Sequence, residues 1–207
     1  VASRFNDTTA TDQYVAQQIE VLKSGRIPAA ARNQPAPMGL PGAKVQPKPQ
    51  GKGPGALRRE AADNLKALGE AANAAVFALA DVAATDRDAL LRLKAIDALG
   101  EMGRNAGIRV LVPTLLYSRD PVMAQVAEDS LMKLLPATGG RLGIEDSIRL
   151  LEARKSGNER LVPVIESAWA ASGFSEGAIV DELNKRAEQK RREDEYWAAC
   201  EAERRRR

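Results

Sequence analysis

The stretch NLKALGEAA, residues 64–72, returns 31 residues later as AIDALGEMG, residues 95–103. Leu65 aligns with Ile96, Ala67 with Ala98, Leu68 with Leu99, Gly69 with Gly100 and Glu70 with Glu101. A further step of 32 residues sets Ala95 on Ala127, Asp97 on Asp129, Ala98 on Ser130 and Leu99 on Leu131. Within each copy the apolar residues recur at three- and four-residue spacing, the period of a helix with one buried face. A period near 31–32 in a helical chain is the mark of stacked helix pairs. One pair cannot bury its apolar face alone, so its neighbours must cover it. The repeat therefore predicts an all-α fold, a short α-solenoid of antiparallel helix pairs over residues 56–172.

The breaks between helices are written in capping residues. In VPTLLYSRDPVMAQVAEDSLMKLL the pattern stops at Ser118–Pro121 and restarts at once. Asp120 can accept from the free amides of the next helix start, and Pro121 at the first helical position loses no hydrogen bond. The turn at Thr85–Asp88 has the same role in the preceding unit. Helix A of that unit reads AANAAVFALADVAA, and helix B reads ALLRLKAIDALGEMG, with Gly100 and Gly103 placed to end it and to allow close approach. Leu91, Ala95, Leu99, Leu115, Ala127 and Leu131 are the expected core.

LVPTLLYSRDPVMAQVAEDSL and LLRLKAIDALGEMG together resemble the HEAT and HEAT-like α-solenoid family. The former carries its Pro within the first helix and its Asp-Pro turn, and both carry its apolar-x-x-x-Ala-x-x-Ala-Leu helix, with Ser130 in place of the second Ala in the former. Leu91, Arg92, Ala95, Ala98 and Leu99 stand where that family places its apolar, Arg and Ala/Leu positions. Ala124 stands where Arg is usual, so an Asp–Arg ladder would break there. The match covers residues 57–135. GIEDSIRLLEARKSG and NERLVPVIESAWAASG, with Pro163 inside the second helix, read as a degenerate closing pair.

The flanks differ in composition. Residues 1–26 hold one amphipathic helix over 11–25, with Val15, Ile19 and Leu22 on one face, Asp12 near its start and Gly25 at its close. Residues 27–55 are rich in Pro and Gly and read as an extended linker; its apolar Met38, Leu40 and Val45 are candidates for contact with a partner. Residues 173–207 form a long charged helix with few apolar anchors: Ile179, Leu183, Tyr196 and Trp197. Tyr196 and Trp197 either pack on the repeats or anchor a partner, and the arginines from Arg204 and Arg205 onward suit phosphate or an acidic protein.

Several chemistries are excluded outright. There is no His and one cysteine, Cys200. That rules out an internal disulfide, a Cys/His zinc site, a Ser-His-Asp triad and a Cys-His pair. LPATG, residues 135–139, matches a sortase signal but lacks the hydrophobic stretch such a signal needs, and reads as a helix end. GKGPG, residues 51–55, lacks phosphate-loop spacing and reads as linker. Asp97, Glu101, Glu128, Asp129, Glu145 and Asp146 read as solvated helix faces and caps, because no spacing forces two of them together. No apolar run is expected to span a bilayer.

The expected function is that of a non-enzymatic scaffold or accessory subunit, with no cofactor and no metal. Its partners would be other protein subunits of a larger complex, met by an N-terminal helix and linker and a C-terminal helix that reach outward. The family resemblance also implies two alternatives: a bilin lyase-type enzyme and a nucleic-acid-binding protein. A net charge of +3 is too mild to imply the latter by itself, and the charges of the repeat region are intermixed. The start at Val1 and the Pro/Ala-rich linker lean toward export, with the cytoplasm as the alternative.

Overall fold

The computed structural model describes residues 3–28, 53–103 and 107–206. These residues form nine α-helices and a 3-10 stretch, and no strand occurs among them. The helices are α1 (Ser3–Ser24), α2 (Pro54–Leu68), α3 (Val76–Thr85), α4 (Ala89–Glu101) and α5 (Ile108–Tyr117). They continue as α6 (Pro121–Ala137), α7 (Ile144–Lys155), α8 (Val162–Ala171) and α9 (Glu176–Arg206). The contacts run in two series. α2 packs on α4, α4 on α6 and α6 on α8, while α3 packs on α5, α5 on α7 and α7 on α9. Consecutive helices join the series at α3–α4, α5–α6 and α7–α8.

Both predicted turns fall where the capping residues place them. Asp88 Oδ1 accepts from the amides of Leu90 at 3.0 Å and Leu91 at 3.2 Å, and opens α4. Asp120 Oδ1 accepts from the amide of Val122 at 2.9 Å, with Pro121 in the first turn of α6. Leu91, Ala95, Leu99, Ala127 and Leu131 are buried, and Leu115 is partly buried against the same core. The small residues set how closely helices approach. A Cβ placed on Gly100 of α4 would lie 2.8 Å from Ser130 Cα on α6.

Several boundaries differ from the sequence reading. α1 begins at Ser3, so Asp12 lies inside the helix, exposed, and caps nothing. Ala71–Ala75 is not α-helical; it belongs to the 3-10 stretch Gly69–Ala75, kinked at Ala72, and helix A starts at Val76. Pro54 and Gly55, read as linker, form the first turn of α2. Pro163 sits in the first turn of α8, where it breaks no helical hydrogen bond. By length and composition, Pro54–Thr85 does pass the test for a membrane span. Here it is broken at Gly69–Ala75 and buries Ala61, Leu65, Leu79 and Val82 against other helices, and core helices pass the same test.

The largest correction concerns the amino-terminal helix. It does not reach outward. Tyr14, Val15, Val21 and Leu22 are buried, and α1 lies on α2, the 3-10 stretch and α3. Asn64 donates to Gln18 Oε1 at 3.1 Å inside this interface, and Arg58 Nε donates to the Leu22 carbonyl at 2.6 Å. Gly25 closes α1 at φ 66, and a Cβ there would come within 2.9 Å of Pro54 Cβ. An amphipathic stripe this apolar is better covered than solvated.

Candidate interaction surfaces

Two surfaces stand out: a grooved face across α2, α4 and α6, and the distal part of α9. On the first, a groove of about 540 Å³ between α4 and α6 is floored by Leu90, Leu93, Val126 and Met132. It continues into a groove of about 420 Å³ between α2 and α4, with Leu90 and Lys94 shared by both.

The edges of this face are ion pairs that cross from helix to helix. Lys94 holds Asp63 at 2.6 Å, and Lys66 holds Asp97. Lys133 reaches both Asp97 at 3.5 Å and Glu101 at 2.8 Å. The hydrogen bond from Lys133 to Glu101 raises the lysine's pKa, against a smaller opposing effect of burial. Arg160 meets Glu128 at 2.7 Å and Asp129 at 3.4 Å. So Asp97, Glu101 and Asp129 keep part of their surface in solvent, as the sequence reading has it, while Glu128 is buried, and all four clasp neighbouring segments. The signal was present in the sequence. Asp63 and Lys94, Lys66 and Asp97, and Asp129 and Arg160 are pairs of opposite charge one 31-residue step apart.

Glu145 and Asp146 clasp the other series. Asp146 is buried and pairs with Arg149 at 3.3 Å and with Arg109 at 4.0 Å. Burial pushes its carboxyl upward, and the two arginines only partly offset this. Glu145 pairs with Arg186 of α9, whose hydrogen bond holds the carboxyl below its usual range. One Asp–Arg contact ties the start of α2 to the turn before α4. Arg58 pairs with Asp86, and Arg92 donates to the Asp86 carbonyl at 2.7 Å. Burial alone would raise the Asp86 carboxyl. The Arg58 hydrogen bond, the Asp88 amide and the charges of Arg58 and Arg92 outweigh it, so the carboxyl is held below the usual range.

α9 is attached at one end. Ile179 is buried, while Leu183, expected as an anchor, is 39% exposed. Arg154 near the end of α7 holds Glu176 at 2.9 Å, and Glu145 at the start of α7 meets Arg186. α9 therefore runs back along α7. Every residue from 187 to 199 is exposed. Opposite charges four residues apart support this free helix: Arg192 with Glu188 at 2.6 Å and Arg205 with Glu201 at 2.7 Å. Tyr196 and Trp197 do not pack on the repeats. They are 63% and 65% exposed and touch only edge to face, with ring centres 5.6 Å apart. Arg204 is exposed, and Arg205 is occupied by Glu201. Met38, Leu40 and Val45 lie outside the described residues.

The two short motifs resolve structurally. Thr138 of LPATG is 1% exposed, its hydroxyl donating to the Leu135 carbonyl at 2.7 Å, which ties it into the end of α6. α6 continues through Pro136 to Ala137, and Gly139 and Gly140 turn the chain. The segment of GKGPG among the described residues is the start of α2, with Gly53 at the N-cap. Among the described residues no group of three or more Cys, Asp or Glu side chains is arranged to hold a metal. Comparison with protein-family models, curated proteins and solved structures returned no match.

Proposed function

We propose that this chain is a non-enzymatic assembly subunit: a short HEAT-like α-solenoid that carries α9 as an arm for binding neighbouring proteins. The observation that carries the reading is the free portion of α9. A helix that leaves the body at Arg186 runs on for about 30 Å and exposes a Tyr–Trp pair about halfway along that length. Buried aromatic anchors dominate binding energy at protein interfaces. The solenoid reading draws on the two contact series and on ion pairs that recur at the repeat distance. The non-enzymatic reading draws on Asp63, Asp97 and Glu101, each paired with a lysine on another helix, and on Glu128 and Asp129, paired with Arg160 just before α8. The grooved face offers a second, neutral-rimmed surface in the same body.

The test is a photoreactive side chain at position 197, in cells that make the protein, with Asp181 on the body-proximal segment of α9 as the control position. A discrete protein adduct specific to position 197 is expected. No protein adduct above the level of the control would refute the reading.

A further inference from the structure

We infer that the arm of α9 pairs with the arm of a second copy of this chain, antiparallel, about a two-fold axis between Trp197 and Cys200. This deepens the proposal that α9 is a binding arm, and rests on it. Glu193, Trp197, Cys200 and Arg204 follow one another at spacings of four, three and four residues. That spacing keeps them on one line of a helix. It also reads the same in both directions, with opposite charges at its two ends. Turning a second arm end for end therefore sets Trp197 against the partner's Cys200 and Glu193 against the partner's Arg204. Two-fold symmetry repeats both contacts.

The groups at the ends of this line are available. Glu193 accepts only a neutral amide, from Gln189 at 2.9 Å. Arg204 has no carboxylate partner among the described residues, and neither Glu193 nor Arg204 is engaged by the body. Trp197 is exposed, and Cys200 is half-buried beside the aromatic pair. Tyr196 borders the line on one side. On the other, the Glu201 charge is already matched by Arg205. A parallel pair is disfavoured, because it would set Glu193 on Glu193 and Arg204 on Arg204. The bodies stand clear. From Glu193 to Arg204 the overlap is about 17 Å, and in this register the partner's body, which ends at its Arg186, lies about 10 Å past Arg204.

The test is sedimentation equilibrium of the full chain over about 1–100 µM, a range suited to a small interface. The average mass is expected to rise from 22.3 kDa toward twice that value. Trp197→Ala, Glu193→Arg and Arg204→Glu should each weaken association about tenfold or more, with the body's circular dichroism unchanged. The double variant Glu193→Arg, Arg204→Glu should restore it, since reversing both charges rebuilds both contacts. A full chain that stays monomeric throughout would overturn the inference, as would a dimer indifferent to the single reversals or a double variant that fails to recover. A monomeric chain that still forms a protein adduct from position 197 would sink the pairing and leave the binding-arm reading intact.

Discussion

Replacing Gly100 with alanine sets two known effects against each other at one atom. Gly100 lies inside α4, where alanine is favoured over glycine by about 1 kcal/mol. If α4 stood alone, the substitution would stabilise it. But the new methyl would sit 2.8 Å from both Cα and Cβ of Ser130 and 3.1 Å from the Ser130 carbonyl oxygen. Two of those atoms are backbone of α6, and no rotamer change moves them. α4 and α6 would have to separate by several tenths of an ångström, loosening Leu99, Ala127 and Leu131, which are buried there. Overpacking costs about 1–3 kcal/mol, and contacts this short with fixed backbone atoms put the cost in the upper part of that range. Set against the propensity gain of about 1 kcal/mol, the clash should win, with a net loss of about 1–2 kcal/mol. That corresponds to roughly 2–8 °C in melting temperature for a chain of this size. Gly177 in the first turn of α9 has nothing within 4 Å of the position a methyl would take, so Gly177→Ala should be neutral or mildly stabilising. Urea denaturation followed by circular dichroism measures both. A Gly100→Ala protein as stable as the parent would refute the close approach of α4 and α6.

Other substitutions probe the remaining contacts. Leu99→Ala, at a site only 1% exposed, should cost about 2–5 kcal/mol in the same urea assay. Asp86→Asn should cost about 1–3 kcal/mol at pH 7, because it leaves the part-buried Arg58 without its carboxylate. The folded-state carboxyl of Asp86 is depressed, so its contribution is present above the unfolded-state value and disappears as pH falls through the folded one. The gap between parent and variant should therefore close in acid, and a gap constant with pH would contradict the pairing. Asp97→Ala removes only surface clasps to Lys66 and Lys133, and should change stability by about 1 kcal/mol or less.

The helices and their turns were legible because each rests on short-range physics. Asp88, Asp120 and Pro121 cap helices through their own neighbours, and the 31-residue repeat spells out which faces must be covered. What escaped the sequence was decided at long range. The docking of α1 depends on which surface α2 leaves open, and Gln18 finds Asn64 across 46 residues. The end of α2 at Gly69 is the exception: a glycine at φ 52 is a short-range stop signal, and the sequence reading takes it as part of the repeat and not as a break. The ion pairs between α2, α4, α6 and Arg160 were visible only to a comparison of charge sign at one repeat distance. At Tyr196 and Trp197 the sequence left two readings open, because periodicity cannot say where the body beneath a helix ends.

The most direct measurement compares the native size of the full chain in gently prepared extracts with that of a chain ending at Ala187. Residues 187–199 are exposed throughout, so this truncation removes no core contact and the body should remain folded. The binding-arm reading predicts that the full chain migrates in a larger particle and that the shortened chain leaves it while keeping its unfolding midpoint. A shortened chain that stays in the same particle as the full one would contradict it.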